Sequence, residues 1–247
     1  MKWLRIVPLF VAALLAPEVS AINVEYKLSL SLGGVSIGAG NCSYTEEATR
    51  YEGADAIQLG IVMSTGRAAG LFYHLKDTMV SIVSPEGNPI FYSKIIHEQS
   101  SYAVENAYFS KNSDGYSVRL TIAGEYGVYR DRTETNPEKI YDMASMLKFS
   151  RSIDSSEMVE GDVINLPMVN GDMVVMQHIV HEGKVVIKDA HGRKYNCLKL
   201  SVRDYKLGSE RETIKVYVTD DSEHIPVRLD IVLGKCFIKA VLNNLTD

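Results

Sequence analysis

The chain has 247 residues, 46% of them hydrophobic and 23% charged, with a formal net charge of −5. Charges of both signs are interspersed and no basic stripe occurs, which excludes the phosphate-neutralising surface that nucleic-acid binding requires. A chain this long buries roughly 70% of its unfolded surface without help from disulfides or metals, and its 3 cysteines, an odd number, exclude a full disulfide framework.

Met1-Lys2-Trp3-Leu4-Arg5 is a basic start, residues 6–17 are an apolar run, and Val19-Ser20-Ala21 is a small-residue exit. This is the pattern of a secretory leader spanning residues 1–21, cleaved after Ala21. A buried N-terminal helix would explain the apolar run but neither flank. The run is shorter than the roughly 20 residues that span a bilayer, no cysteine follows the cut to carry a lipid anchor, and no later stretch is long and apolar enough to be a span. Two of the 26 basic and one of the 31 acidic residues leave with the leader, which takes the formal charge from −5 to −6. A single domain over residues 22–247 is expected, in the periplasm or outside the cell.

Ile22, Val24, Tyr26, Leu28, Leu30 and Leu32 alternate with polar residues, a period of two that puts one strand face on a core and the other on water. Gly33-Gly34 interrupts the pattern and Val35-Ser36-Ile37 resumes it. A weak helical pattern covers residues 65–73 despite Gly66 and Gly70. Residues 102–109 and 116–123 read as two strands joined through Asn112-Ser113-Asp114-Gly115. A helix is expected after Asn136, with Pro137 in its first turn, Thr135 and Glu138 as a capping box, and Ile140, Ala144, Leu147 and Arg151 at helical spacing.

The last third is a series of strands. Asn170-Gly171 is a two-residue hairpin signal between residues 163–169 and 172–181, since both residues tolerate positive φ. Glu182-Gly183 is read as the next turn, leading into residues 184–189, and His191-Gly192 as the turn before residues 195–204. Ile214, Val216 and Val218 alternate, the run Asp220-Asp221-Ser222-Glu223 turns the chain, Val227, Leu229, Ile231 and Leu233 alternate again, and a final strand runs to about Leu242. With no linker or repeat, the expected fold is mostly β: an antiparallel rolled sheet or partly open barrel with one short α-helix packed against it.

Local chemistry is sparse. His178 and His181 are three apart on a strand, so they point to opposite faces and do not chelate a metal together. The run from Gly34 to Gly38 has Gly-x-Ser-x-Gly spacing but lacks the following helix of a nucleophile elbow. Lys235 beside Cys236 is weak support for an activated thiol, and strand packing explains both residues. Asp220, Asp221 and Glu223 suit calcium by ligand type, although Asp and Ser make such turns with their own backbone. No catalytic residue, metal or cofactor is expected. One disulfide is allowed by the count, and Cys197 with Cys236 is the pair to test, against unpaired buried thiols.

From Val218 through Asp220, Asp221, Pro226, Val227, Arg228 and Leu229 to Gly234 and Ile238-Lys239-Ala240, the C-terminal segment resembles the signature of domain-of-unknown-function family 3108. The run from Gly33 to Gly38, the segment from Tyr141 to Leu147 with Arg151, and Glu160-Gly161-Asp162 resemble further pieces in the family's order. The resemblance implies an exported, β-rich bacterial envelope protein with no established activity, and so supplies no catalytic residues. Asp142, Arg151, Asp221 and Arg228 are charged positions within the matching pieces. They read either as a ligand-contacting set or as structural ion pairs and caps. The functional expectation is a non-catalytic binding, carrier or structural role toward a lipid or other amphiphile, a glycan or an envelope protein. The alternative is a cell-wall or glycan hydrolase whose carboxylate pair is assembled by the fold.

Overall fold

The computed structural model describes residues 21–32, 35–70, 74–99, 101–153, 158–206, 209–233 and 236–246. The expected leader, apart from Ala21, and the Gly33-Gly34 break lie outside them. One 14-stranded antiparallel sheet curls into a nearly closed barrel. The strands are β1 (Ile22–Leu32), β2 (Val35–Tyr51), β3 (Ala54–Thr65), β4 (Lys76–Val83), β5 (Pro89–Glu98), β6 (Ser101–Asn112), β7 (Gly115–Gly124) and β8 (Gly127–Asn136). They continue with β9 (Val163–Asn170), β10 (Met173–Lys188), β11 (Lys194–Lys206), β12 (Ser209–Thr219), β13 (Pro226–Leu233) and β14 (Cys236–Thr246).

Sequence neighbours pair throughout, except that β8 and β9 do not pair and β1 instead joins β14. The first strand therefore sits mid-sheet, bonded on both sides, with Tyr26 opposite Leu242 on β14 and Cys42 on β2. The predicted alternation places Val24, Tyr26 and Leu28 in the core. The seam lies between β8 and β9, and side chains of β8 reach the β9–β10 hairpin: the Val174 amide donates to Glu134 Oε2 at 2.9 Å, and Arg130 lies 3.6 Å from Asp172.

The chain crosses that seam through a helix, α2 (Met143–Arg151), lying on the sheet's inner face with Ala144, Ser145, Met146, Leu147 and Ser150 buried. A helix is present as expected, but it starts later than the Asn136 cap predicts. Asn136 still pairs with Tyr116 in β8, and its side chain accepts from the Glu138 amide at 2.9 Å, making a turn. Tyr141 then runs alongside β9, donating to Pro167 O and accepting from Val169 N, both at 2.8 Å. That pairing needs extended backbone, so helical φ/ψ begins only after Asp142, which becomes the N-cap.

Three other expectations shift. Glu182-Gly183 is a bulge inside the continuous strand β10, where the register slips between His181 and Lys184 and Gly183 takes φ +87°. The weak helix shrinks to α1 (Arg67–Gly70), within the described part of residues 65–73, and the last strand runs on to Thr246. The Asn170-Gly171 hairpin stands as read, with Gly171 at φ +62°. Cys197 is a free thiol. Two strands, β12 and β13, separate it from β14, so Cys197 and Cys236 lie about 14 Å apart by strand spacing, beyond disulfide reach. The Cys236 side chain itself lies outside the described residues.

At one rim the fold needs a missing side chain. A Cβ on Gly40 would sit 1.9 Å from Ser64 O, where Gly66 N donates to Ala39 O at 2.7 Å. This close approach draws the end of β3 and α1 onto β2.

Candidate functional site

The inner face of the barrel carries two different sites, one at each end. At the first end α2 acts as a plug. Asp142 is fully buried, and its carboxylate accepts from the Ala144 and Ser145 amides at 2.9 and 3.0 Å and from the Ser145 and Ser81 hydroxyls at 2.8 Å. The Ser145 hydroxyl also accepts from the Asp142 amide at 2.9 Å, completing a capping box. Burial raises the Asp142 carboxyl, and it outweighs these four donors.

The C-terminal turn of α2 is held by Glu46 of β2, which is only 2% exposed. Its oxygens lie 2.7 Å from Lys148 Nζ and 2.6 Å from Arg151 Nη1, and the Tyr44 hydroxyl donates at 2.8 Å. Burial pushes the Glu46 carboxyl up, but Lys148, Tyr44 and Arg151 together outweigh it and hold it below the usual range. Arg151 also donates through Nε to Glu223 O at 3.1 Å, and its own carbonyl lies 3.1 Å from His224 Nδ1. A cleft of about 660 Å³ opens beside this network, lined by Glu46, Lys139, Tyr141, Phe149, Arg151 and Glu223 among others.

The other end is apolar. A cavity of about 510 Å³ is lined by Leu28, Leu30, Met63, Met79, Ile231 and Ile238, with α1 at its edge through Ala69. One wall carries charge: Asp77, Lys94 and Glu98 line it. Lys94 pairs in register with Met79 on one side and Glu105 on the other, so all three share the inner face. Asp77 is 4% exposed and accepts from the His97 amide at 3.2 Å. Burial raises both the Asp77 and Glu105 carboxyls, and the nearby Lys94 only partly offsets it.

The four residues singled out from sequence do not form one site. Asp142 and Arg151 stand at opposite ends of α2. Asp221 organises the turn that meets Arg151: its Oδ1 accepts from the Thr219 hydroxyl at 2.7 Å and the Glu223 amide at 3.0 Å. Arg228 lies on β13, forked onto Asp230 at 2.7 and 2.5 Å and stacked 5.1 Å over the Tyr217 ring. Among the described residues no three His, Cys, Asp or Glu side chains come close enough to hold a metal. Burial pushes the Cys42 thiol up to about 12, far from the lowered range of a nucleophilic cysteine.

Sequence reasoning missed Glu46, Asp77, Lys94 and Glu105. The available signal was phase. Each occupies an inward position of an alternating strand: Glu46 follows Tyr44 by two, Asp77 precedes Met79 and Ser81, and Glu105 precedes Ala107. A charge in step with core residues marks a buried polar site.

The sequence profile of the family described as "Protein of unknown function (DUF3108)" matches residues 23–239. The chain belongs to that family. No curated protein matches it significantly. Among solved structures, it is similar to a β-barrel-like protein of domain of unknown function DUF1849 from Brucella abortus. That likeness has a TM-score of 0.60 at 9% identity and covers 92% of this chain and 97% of the other. At such low identity the likeness concerns the fold alone: the Brucella protein is described as barrel-like, and this family member is a nearly closed barrel. Among the described residues no helix is long and apolar enough to cross a membrane.

Proposed function

We propose that this protein is an exported, non-catalytic carrier that holds the apolar part of an amphiphile in the cavity at its open end. The supporting observation is the cavity itself. Its volume of about 510 Å³ lies within the roughly 300–1,000 Å³ of small-molecule sites. Leu28, Leu30, Met63, Met79, Ile231 and Ile238 offer a hydrocarbon chain a dry wall and no hydrogen bonds. A glycan would need many polar partners there. Export follows from the leader pattern of residues 1–21, and N-terminal sequencing of the secreted product is expected to begin at Ile22.

The test is native mass spectrometry of the exported protein, purified without detergent. A removable adduct with a lipid mass supports the reading. A clean apo mass, together with failure to take up added dodecanol, contradicts it.

A second reading, hydrolysis by a carboxylate pair, draws on one observation: Asp77 and Glu105 share the inner face of β4–β6 with carboxyls raised by burial, as a general acid requires. It predicts turnover of a cell-wall or glycan substrate that Glu105→Gln abolishes. An inactive wild-type protein against purified peptidoglycan and glycans counts against it.

A further inference from the structure

We propose that the open-end cavity selects amphiphiles whose head group is a protonated amine. This deepens the carrier reading and rests on it. The cavity is asymmetric in charge. Among the described residues, the wall built by β1, β13 and β14 contributes Leu28, Leu30, Ile231 and Ile238 and no charged side chain. The facing wall, on β4 and β5, contributes Asp77 and Glu98 with one lysine, Lys94, and Glu105 stands beside Lys94 on β6. A chain lying on the apolar wall therefore presents its head group to a surface with more carboxylates than ammonium groups.

Asp77 and Glu105 both lie near Lys94. Asp77 is almost wholly withdrawn from water, and its carboxylate accepts from the His97 amide. Burial raises Asp77 and Glu105 alike, and Lys94 serves both sides of the same wall without reversing either shift. An alkylammonium brings a positive charge and three N–H donors to this place. A carboxylate or phosphate head group would add a like charge to a site of low dielectric, where repulsion is weakly screened. A neutral head group gains neither attraction nor penalty. The expected affinity order is amine, then alcohol, then acid.

The probes are dodecylamine, dodecanol and dodecanoate, each below its aggregation limit, titrated into the mature protein at pH 7 by displacement of a neutral fluorescent apolar dye. Dodecylamine is expected to bind about tenfold more tightly than dodecanol, and dodecanoate more weakly than either. The variant Asp77→Asn/Glu105→Gln is expected to lose the amine's advantage over dodecanol. Raised salt gives a readout free of mutation: it should shrink the amine's advantage while leaving dodecanol unchanged. Dodecanoate binding as tightly as dodecylamine, or an amine advantage indifferent to salt, overturns the head-group proposal while leaving the carrier reading intact. Failure of all three probes to bind overturns both.

Discussion

The two ends of the barrel treat inward-facing carboxylates in opposite ways. At the plugged end Glu46 meets Lys148, Arg151 and the Tyr44 hydroxyl, and its carboxyl sits below the usual range. At the open end Asp77 lines a largely apolar cavity and Glu105 shares the inner face, with Lys94 between their strands, and both carboxyls sit above it. Burial acts in the same direction on all three, so the difference lies in how many partners the fold supplies. A buried acid with a full set of partners fastens a helix to a sheet. An inward acid with fewer charged partners is a place where a ligand can add one.

The plugged end should break hardest. Glu46→Ala leaves Lys148 without its counter-ion and Arg151 with only Glu223, 3.8 Å away; the two side chains are 25% and 14% exposed. Residual solvent access puts the expected loss at about 3 kcal/mol, the lower part of the range for breaking a buried pair. Urea unfolding followed by circular dichroism measures it, and a loss below about 1 kcal/mol would mean that the plug is held by packing alone. Asp142→Ala should cost about 2 kcal/mol, combining a lost N-cap with stranded hydroxyls on Ser81 and Ser145.

Acid separates the two ends by sign. The Glu46 carboxyl is lower in the folded state than its ordinary 4.5, so its contribution is present above that pH and is lost as pH falls through the folded value. Asp77 and Glu105 titrate above their ordinary 3.8 and 4.5 when folded, so their contribution is present at low pH and is lost as pH rises through the folded values. Melting curves from pH 3 to pH 8 should show Asp77→Asn/Glu105→Gln at least as stable as wild type at neutral pH, with any advantage shrinking in acid. A double variant that is less stable only at neutral pH would show that these acids are fully partnered. The smallest expected change in stability comes from Met63→Trp, which fills part of the open cavity: within about 1.5 kcal/mol of wild type, with dye uptake abolished.

The strands were legible because burial on one face imprints a period of two. β1 was read to the residue, and the Asn170-Gly171 and Asn112–Gly115 hairpins followed from turn chemistry. Long-range competition hid the rest. Asn136 and Pro137 carry a local helix-start signal, yet β8 and β9 claim the backbone as far as Tyr141, and the helix waits for Asp142 and Ser145. A glycine that marks turns elsewhere makes a bulge at Gly183, because β11 continues to pair beyond it. The cavity was invisible for a different reason. Leu28 reads as an ordinary inward residue of its strand, and only barrel closure shows that the space it shares with Met63, Met79 and Ile238 is unfilled.

The central claim is that the end away from α2 receives hydrocarbon, and photo-crosslinking tests it most directly. A neutral alkyl probe bearing a diazirine near the chain terminus would be irradiated with the mature protein and its adducts mapped by peptide mass spectrometry. Labels are expected on Leu30, Met63, Met79 and Ile238. Labels concentrated on Lys139, Phe149 and Glu223 beside the plug, or scattered over the outer face, would contradict the account.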